Sequence, residues 1–158
     1  MKRHRLRGFT LIELLVAVAI VALLSSIGLP LASLAKQRND EQQLRQALAQ
    51  IRQALDDYKL AVEQGQVAAP ADASGYPPSL QVLVDGVADA RDPLGRRRYF
   101  LRRIPPDPFA PPGLAGAEGW GLRSYASQAD DPRPGADVYD VYSLSPRSGL
   151  DGRPYREW

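Results

Sequence analysis

A long apolar run lies near the N-terminus of this chain and limits the folds open to it. No charged residue occurs from Leu14 to Ala35, a run of 22 residues. A helix needs about 20 such residues, at about 1.5 Å each, to cross a bilayer. The basic segment from Met1 to Gly8 precedes the run and a polar sequence follows it, which predicts a cytoplasmic N-terminus. A secretory signal peptide is the alternative, but its apolar region spans only about 7–15 residues.

Glu13 is the one carboxylate that interrupts the start of this apolar segment. Insertion of such a group into a membrane costs about 2.5–3.5 kcal/mol, and it usually has a partner. No lysine, arginine or histidine lies within the span, so the partner must come from outside it. Cleavage after Gly8 would create one, because Phe9 would then carry a free α-amine. We expect the Phe9 amine of a neighbouring subunit to pair with Glu13. Alternatively, Glu13 rests near the helix N-terminus, where the macrodipole favours negative charge.

The residues around this boundary form a recognisable motif. The sequence from Arg7 to Leu14, RGFTLIEL, resembles the prepilin signature of type IV pilins and pseudopilins. The resemblance implies that a prepilin peptidase of the inner membrane cleaves after Gly8 and methylates the amine of Phe9, and that Glu13 serves assembly. It also implies a single-pass inner-membrane protein with a periplasmic C-terminal domain. Its partners would be copies of itself and other pseudopilins.

Apolar residues recur at helical spacing beyond the membrane run. The pattern predicts one helix from Phe9 to about Gln64, stopped at Gly65. A coiled coil is the alternative, but so short a stripe is more typical of a helix face packed on a globular domain. Charged side chains on this helix, among them Glu41 and Arg52, are expected to face elsewhere. The stripe consists of Leu44, Leu48, Ile51, Leu55, Tyr58 and Val62.

The remaining sequence predicts a small α+β domain. Residues 79–84 form a helical candidate, and dense prolines from Pro93 to Pro112 exclude long regular elements. Residues 120–126 and 138–144 are rich in aromatic and β-branched side chains and predict two strands. The segment Tyr99–Leu101 is either a short strand or a buried anchor. We expect a small antiparallel sheet packed on the amphipathic half of the helix, which is an α+β, pilin-like fold.

These elements divide the chain into four parts. The apolar run, the amphipathic stripe and the proline-rich region set the boundaries. The predicted parts are a leader peptide at 1–8, a transmembrane and assembly helix at 9–35, its amphipathic half at 36–64, and a globular domain at 65–158.

The C-terminal half carries a second resemblance. The segments Gly75–Leu80, Ile104–Phe109 and Tyr139–Ser143 are similar to the globular domain of the major pseudopilin of type II secretion, general secretion pathway protein G. That family has a calcium-binding loop near its C-terminus, so calcium is a possible ligand, and no other cofactor is expected. In this chain Pro146-Arg147-Ser148 stands where the resemblance implies an early aspartate, which leaves Asp151 as the candidate calcium ligand.

The residues of this loop favour a turn over a metal site. Calcium takes about six to eight oxygen ligands, but Glu157 is the only other carboxylate in the segment, and Arg147, Arg153 and Arg156 surround it. Asp-Gly is a common turn pair, so Asp151–Gly152 is expected to form a turn. Tyr155 and Trp158 are expected to anchor the loop by apolar packing.

Composition excludes several classes of function. Cysteine is absent and the one histidine is His4, so the chain beyond Gly8 cannot build a Ser-His-Asp triad, a cysteine nucleophile or a His- or Cys-ligated zinc site. The net charge is +2, and removal of the four basic residues ahead of Gly8 gives +2 − 4 = −2. Nucleic-acid binding is therefore not expected, although five arginines flank Tyr99-Phe100.

The sequence thus predicts a structural subunit rather than an enzyme. The predicted function is that of a subunit of an inner-membrane-anchored pseudopilus used in type II protein secretion. The alternative is a minor pilin of a type IV pilus or of a DNA-uptake system.

Overall fold

The structure, a computed structural model, describes residues 9–158 except for the side chains of residues 27–30. The chain divides into two compact units, Met1–Asn39 and Asp40–Trp158. A single helix, α1, covers Leu11–Glu63 and contributes to both. It begins two residues later and ends one residue earlier than the sequence predicted.

The first unit contains the apolar part of α1. Its large apolar side chains, outside residues 27–30, are exposed, from Leu11 at 82% to Leu34 at 41%. Within the described residues, α1 is long and apolar enough to cross a membrane, and none of its most apolar stretch is buried within the chain. Because a surface of this kind is unfavourable in water, it needs lipid or other apolar helices around it.

The second unit is organised around the amphipathic part of α1. Leu44 and Ile51 are fully buried, and Leu48, Leu55 and Tyr58 are nearly so, which confirms the predicted stripe. The expectation that Glu41 and Arg52 face elsewhere is wrong. Glu41 is only 8% exposed, and Arg52, whose side chain is 39% exposed, donates to Asp140 at 2.8 Å on the domain side of the helix. Glu41 lies three residues before Leu44, so it belongs to the same helix face.

A glycine ends α1 as the sequence predicted. Gly65 has φ +67°, a left-handed conformation that other residues adopt at a cost. Its N–H donates to the carbonyl of Val62 at 2.8 Å, and the N–H of Gln66 donates to Ala61 at 2.8 Å. These bonds satisfy carbonyls that would otherwise be unpaired at the helix end. The next helix, α2, covers Leu80–Asp85 and buries Leu80 and Leu83.

Within residues 9–158 the strands form two small antiparallel sheets rather than the one expected. Strand β1 (Val87–Ala88) pairs with β2 (Arg97–Arg98). Strand β3 (Trp120–Arg123) pairs with β4 (Asp140–Ser143), close to the two predicted strands but shorter. Gly121 lies opposite Tyr142, and a Cβ there would come within 2.2 Å of that ring.

Of the predicted segment Tyr99–Leu101, Leu101 acts as a buried anchor, whereas Tyr99 is 62% exposed. Leu101 is 6% exposed, and its N–H donates to the carbonyl of Leu83 at 2.9 Å. Asp107 is also buried: it accepts a 2.6 Å hydrogen bond from the Ser143 hydroxyl and a 2.7 Å bond from the Phe109 N–H. The proline-rich region is therefore tied to α2 and β4 although it contains little regular structure.

Candidate functional site

The first candidate site is the start of the apolar helix. Gly8, the predicted cleavage position, lies outside the described residues. Phe9 is 84% exposed and precedes α1, with Thr10 as the last residue before the helix. The N–H of Leu14 donates to the carbonyl of Thr10 at 3.2 Å, so Thr10 occupies the N-cap position.

Glu13 lies in the first turn of α1 and contacts Thr10. The Thr10 N–H donates to Oε2 of Glu13 at 3.4 Å, and the Glu13 N–H donates to Oγ1 of Thr10 at 3.3 Å. Reciprocal bonds of this kind define a capping box, here with long distances. The carboxylate is thus placed where the helix dipole favours it.

From the sequence we placed Glu13 near a helix start but did not predict that Thr10 caps the helix and contacts Glu13. The signal was available, because Thr10-Leu11-Ile12-Glu13 has the T-x-x-E spacing of a capping box ahead of an apolar run. The expected pairing of Glu13 with a neighbouring Phe9 amine stays a prediction. The capping contacts describe how the carboxylate is held within one chain.

The second candidate site is the loop that contains Asp151. The Asp151 Oδ1 accepts a 3.1 Å bond from the Arg153 N–H, and its Oδ2 lies 3.8 Å from an Arg45 guanidinium nitrogen. Gly152 has φ +82°, and its N–H donates to the carbonyl of Gly149 at 2.9 Å. Asp151–Gly152 therefore forms the expected turn, closed by local hydrogen bonds.

The residues of this loop do not fit a calcium ion. Glu41, the carboxylate that α1 brings to the loop, accepts a 2.8 Å bond from the Leu150 N–H and a 3.0 Å bond from the Tyr155 hydroxyl through its Oε1. The Asp151 carboxylate faces an arginine. Across residues 9–158, no group of three His, Cys, Asp or Glu side chains could hold a metal ion, whereas calcium requires about six to eight oxygens.

The three arginines that directly precede Tyr99 make contacts within the chain. Arg96 pairs with Asp92, and that hydrogen bond holds the pKa of the Asp92 carboxyl below its usual value. Arg98 pairs with Asp89 at 3.3 Å, and Arg97 donates to the carbonyl of Gly86 at 2.7 Å. Because these guanidinium groups bind carboxylates and carbonyls of the hairpin itself, they stabilise β1 and β2.

The fold and the N-terminal site together define a class. An apolar helix with an acidic residue in its first turn, continued as the central helix of a small α+β domain, is the layout of a type IV pilin-like subunit. Residues 3–29 match the family model described as the prokaryotic N-terminal methylation motif. The predicted α+β, pilin-like fold is confirmed.

Similar proteins of known family identify which type IV pilin-like family the chain belongs to. The chain is 32% identical over 113 residues to the type II secretion system core protein G of Klebsiella michiganensis, covering 69% of this chain and 72% of that protein. It is 34% identical over 112 residues to the corresponding protein of Klebsiella pneumoniae (67% and 71%), and 30% identical over 116 residues to that of Aeromonas hydrophila (71% and 73%). No solved structure matches the chain. The chain belongs to the type II secretion system core protein G family.

Proposed function

We propose that this chain is a structural subunit of a pseudopilus used in type II protein secretion. The observation that carries the proposal is the match of residues 3–29 to the N-terminal methylation motif, in a chain whose relatives are type II secretion core proteins. The exposed apolar part of α1 supports it, because a filament of packed helices would bury that surface.

The proposal assigns a separate role to each segment of the chain. Residues 1–8 are the leader, 9–35 anchor the subunit in the inner membrane before assembly, and 36–64 with 65–158 form the periplasmic part. A prepilin peptidase cleaves between Gly8 and Phe9 and methylates the Phe9 amine. Other copies of the chain, together with other pseudopilins, then provide the apolar partners for α1.

Glu13 has a different partner in each state of the subunit. In a single chain, its carboxylate accepts long bonds from the Thr10 N–H at 3.4 Å and from the Thr10 hydroxyl at 3.5 Å. In the filament, it pairs with the Phe9 amine of a neighbouring subunit. A charged pair satisfies a carboxylate in an apolar environment better than two long hydrogen bonds do, so the exchange favours assembly.

A gene deletion tests the function. We expect loss of the chain to leave secreted proteins in the periplasm, because the filament that drives their export is missing, and the wild-type gene to restore export. Fractionation of the culture into periplasm and medium measures this. Unchanged secretion together with lost piliation or DNA uptake would instead support the minor-pilin alternative. A secretion ATPase and a secretin encoded by neighbouring genes would agree with the proposal.

The apolar half of α1 should drive self-association. A fragment beginning at Lys36 lacks the exposed apolar surface of residues 9–35 but keeps the buried stripe. We expect this fragment to be a soluble monomer, because the lipid-compatible surface is gone. Gel filtration measures its size, and the full chain in detergent is the comparison. A stable large oligomer of the fragment would mean that contacts between globular domains drive assembly.

A further inference from the structure

A series of stacked side chains connects the C-terminal loop to α1. The Arg147 guanidinium lies over the Phe109 ring at 5.2 Å, and Phe109 stacks on Tyr155 with centroids 4.2 Å apart. Tyr155 meets Trp158 edge to face at 5.0 Å, and the Arg45 guanidinium lies 4.3 Å from the Trp158 ring. These five residues, here called the arginine–aromatic stack, combine ring contacts with a cation at each end.

A carboxylate from the helix holds the same loop by hydrogen bonds. Glu41 is 8% exposed, and its Oε1 accepts bonds from the Leu150 N–H and the Tyr155 hydroxyl. Tyr155 is fully buried, so its hydroxyl must find a partner within the chain. Glu41 therefore satisfies one buried donor of the stack and one backbone donor of the loop.

Backbone hydrogen bonds within the C-terminal loop join its two sides. The N–H of Gly149 donates to the carbonyl of Arg153 at 2.8 Å, and that of Tyr155 donates to the carbonyl of Arg147 at 3.1 Å. Ser148 and Pro154 form an antiparallel bridge between these positions. The carbonyls of Arg147 and Arg153 therefore each accept a hydrogen bond from within the loop.

We propose that the loop is locked on α1 by the arginine–aromatic stack and Glu41, and that this lock takes the place of the calcium ion implied by the wider family. Arg45 and Arg147 bring positive charge to the two ends of the stack, so a divalent cation would meet repulsion there. The positive charges at this position are the side chains of Arg45 and Arg147, whereas in a calcium site the positive charge is a bound ion. The fold of the second unit is therefore independent of metal.

The first test is thermal unfolding of the full chain in detergent micelles, in millimolar calcium chloride and in EGTA. Because Trp158 belongs to the stack, tryptophan fluorescence follows its environment. We expect the two melting temperatures to agree within about 1 °C, since an ion that does not bind the native state cannot stabilise it. A calcium-dependent rise of roughly 4–8 °C, abolished by Asp151→Ala, would overturn the proposal.

The second test asks whether Glu41 acts as a hydrogen-bond acceptor or as a metal ligand. Glu41→Ala should lower the melting temperature by roughly 3–8 °C, equally in calcium and in EGTA, because two donors lose their acceptor. Glu41→Gln keeps an acceptor oxygen and should recover most of the loss. Glu63→Ala, at the exposed end of the same helix, is the control: it removes only an exposed ion pair with Lys59 and should lower the melting temperature far less than Glu41→Ala does.

Tyr155→Phe provides a milder variant in case Glu41→Ala does not fold. It removes one donor to Glu41 and leaves the ring contacts in place, so we expect a smaller decrease that calcium does not alter. A Glu41→Gln chain as unstable as Glu41→Ala, or stabilisation of either Glu41 variant by calcium, would contradict the lock.

Discussion

Subunits that carry Glu13→Ala are expected to enter the inner membrane but to be depleted from filaments by about tenfold or more, the effect of losing about 1.4 kcal/mol of pairing. Insertion should proceed at least as well as in the wild type, because a costly charge is removed from the apolar segment. The measurement is the ratio of subunit in sheared filaments to subunit in membranes, determined by immunoblot.

Two matched variants separate charge pairing from helix capping. Glu13→Gln keeps a side-chain acceptor for the Thr10 N–H but has no charge to pair with an amine, so it should fail as Glu13→Ala does. Thr10→Val removes the capping hydroxyl and leaves the carboxylate, so it should still assemble. Normal filaments from Glu13→Gln together with defective ones from Thr10→Val would show that capping, not pairing, is the property that assembly needs.

Replacement of Gly8 by a bulky residue is expected to abolish processing. Gly8→Val places a branched side chain next to the scissile bond, and a displacement of about 1 Å in an enzyme's active site can cost about 100-fold in rate. The uncleaved chain also keeps its basic leader and has no free amine at Phe9. Intact mass spectrometry of membrane-derived protein measures both cleavage and the added methyl group.

The control for this experiment is Leu6→Val, which makes a branched residue in the leader away from the cleavage bond. It should yield the same product as the wild type, beginning at a methylated Phe9. If Gly8→Val is processed normally, or if the wild-type product begins beyond Glu13, the proposed cleavage site is wrong.

Much of the fold could be predicted because it depends on local patterns. The apolar stripe and Gly65 defined the end of α1 to within one residue, since periodicity and a left-handed glycine are properties of neighbouring residues. Strands β3 and β4 were predicted from their aromatic and β-branched content. The ends of the strands were less accurate, because pairing stops where the partner strand turns away.

The unpredicted features depend on contacts between distant parts of the chain. Strand β2 consists of two arginines, and its pairing with β1 is stabilised by bonds to Gly86 and Asp89 that no local pattern reveals. Glu41 was predicted to face elsewhere because it is charged, although its position relative to Leu44 places it on the buried face. The Tyr155 hydroxyl, 114 residues further along the chain, donates the hydrogen bond that compensates for burial of this carboxylate.

The bonds that fix the C-terminal loop also bear on the kinetics of folding. Glu41 meets Leu150 and Tyr155 across 109 and 114 residues of sequence, and Arg52 reaches the main-chain oxygen of Trp158 across 106. Contacts between residues so far apart in sequence form slowly, because the chain loses the entropy of a long loop before the contact is made. The amphipathic face of α1 therefore stays incompletely covered until the C-terminal end of the chain has docked on it. During that interval the apolar stripe that the folded chain buries is open to water, so a chaperone that covers it would be expected to raise the yield of folded protein.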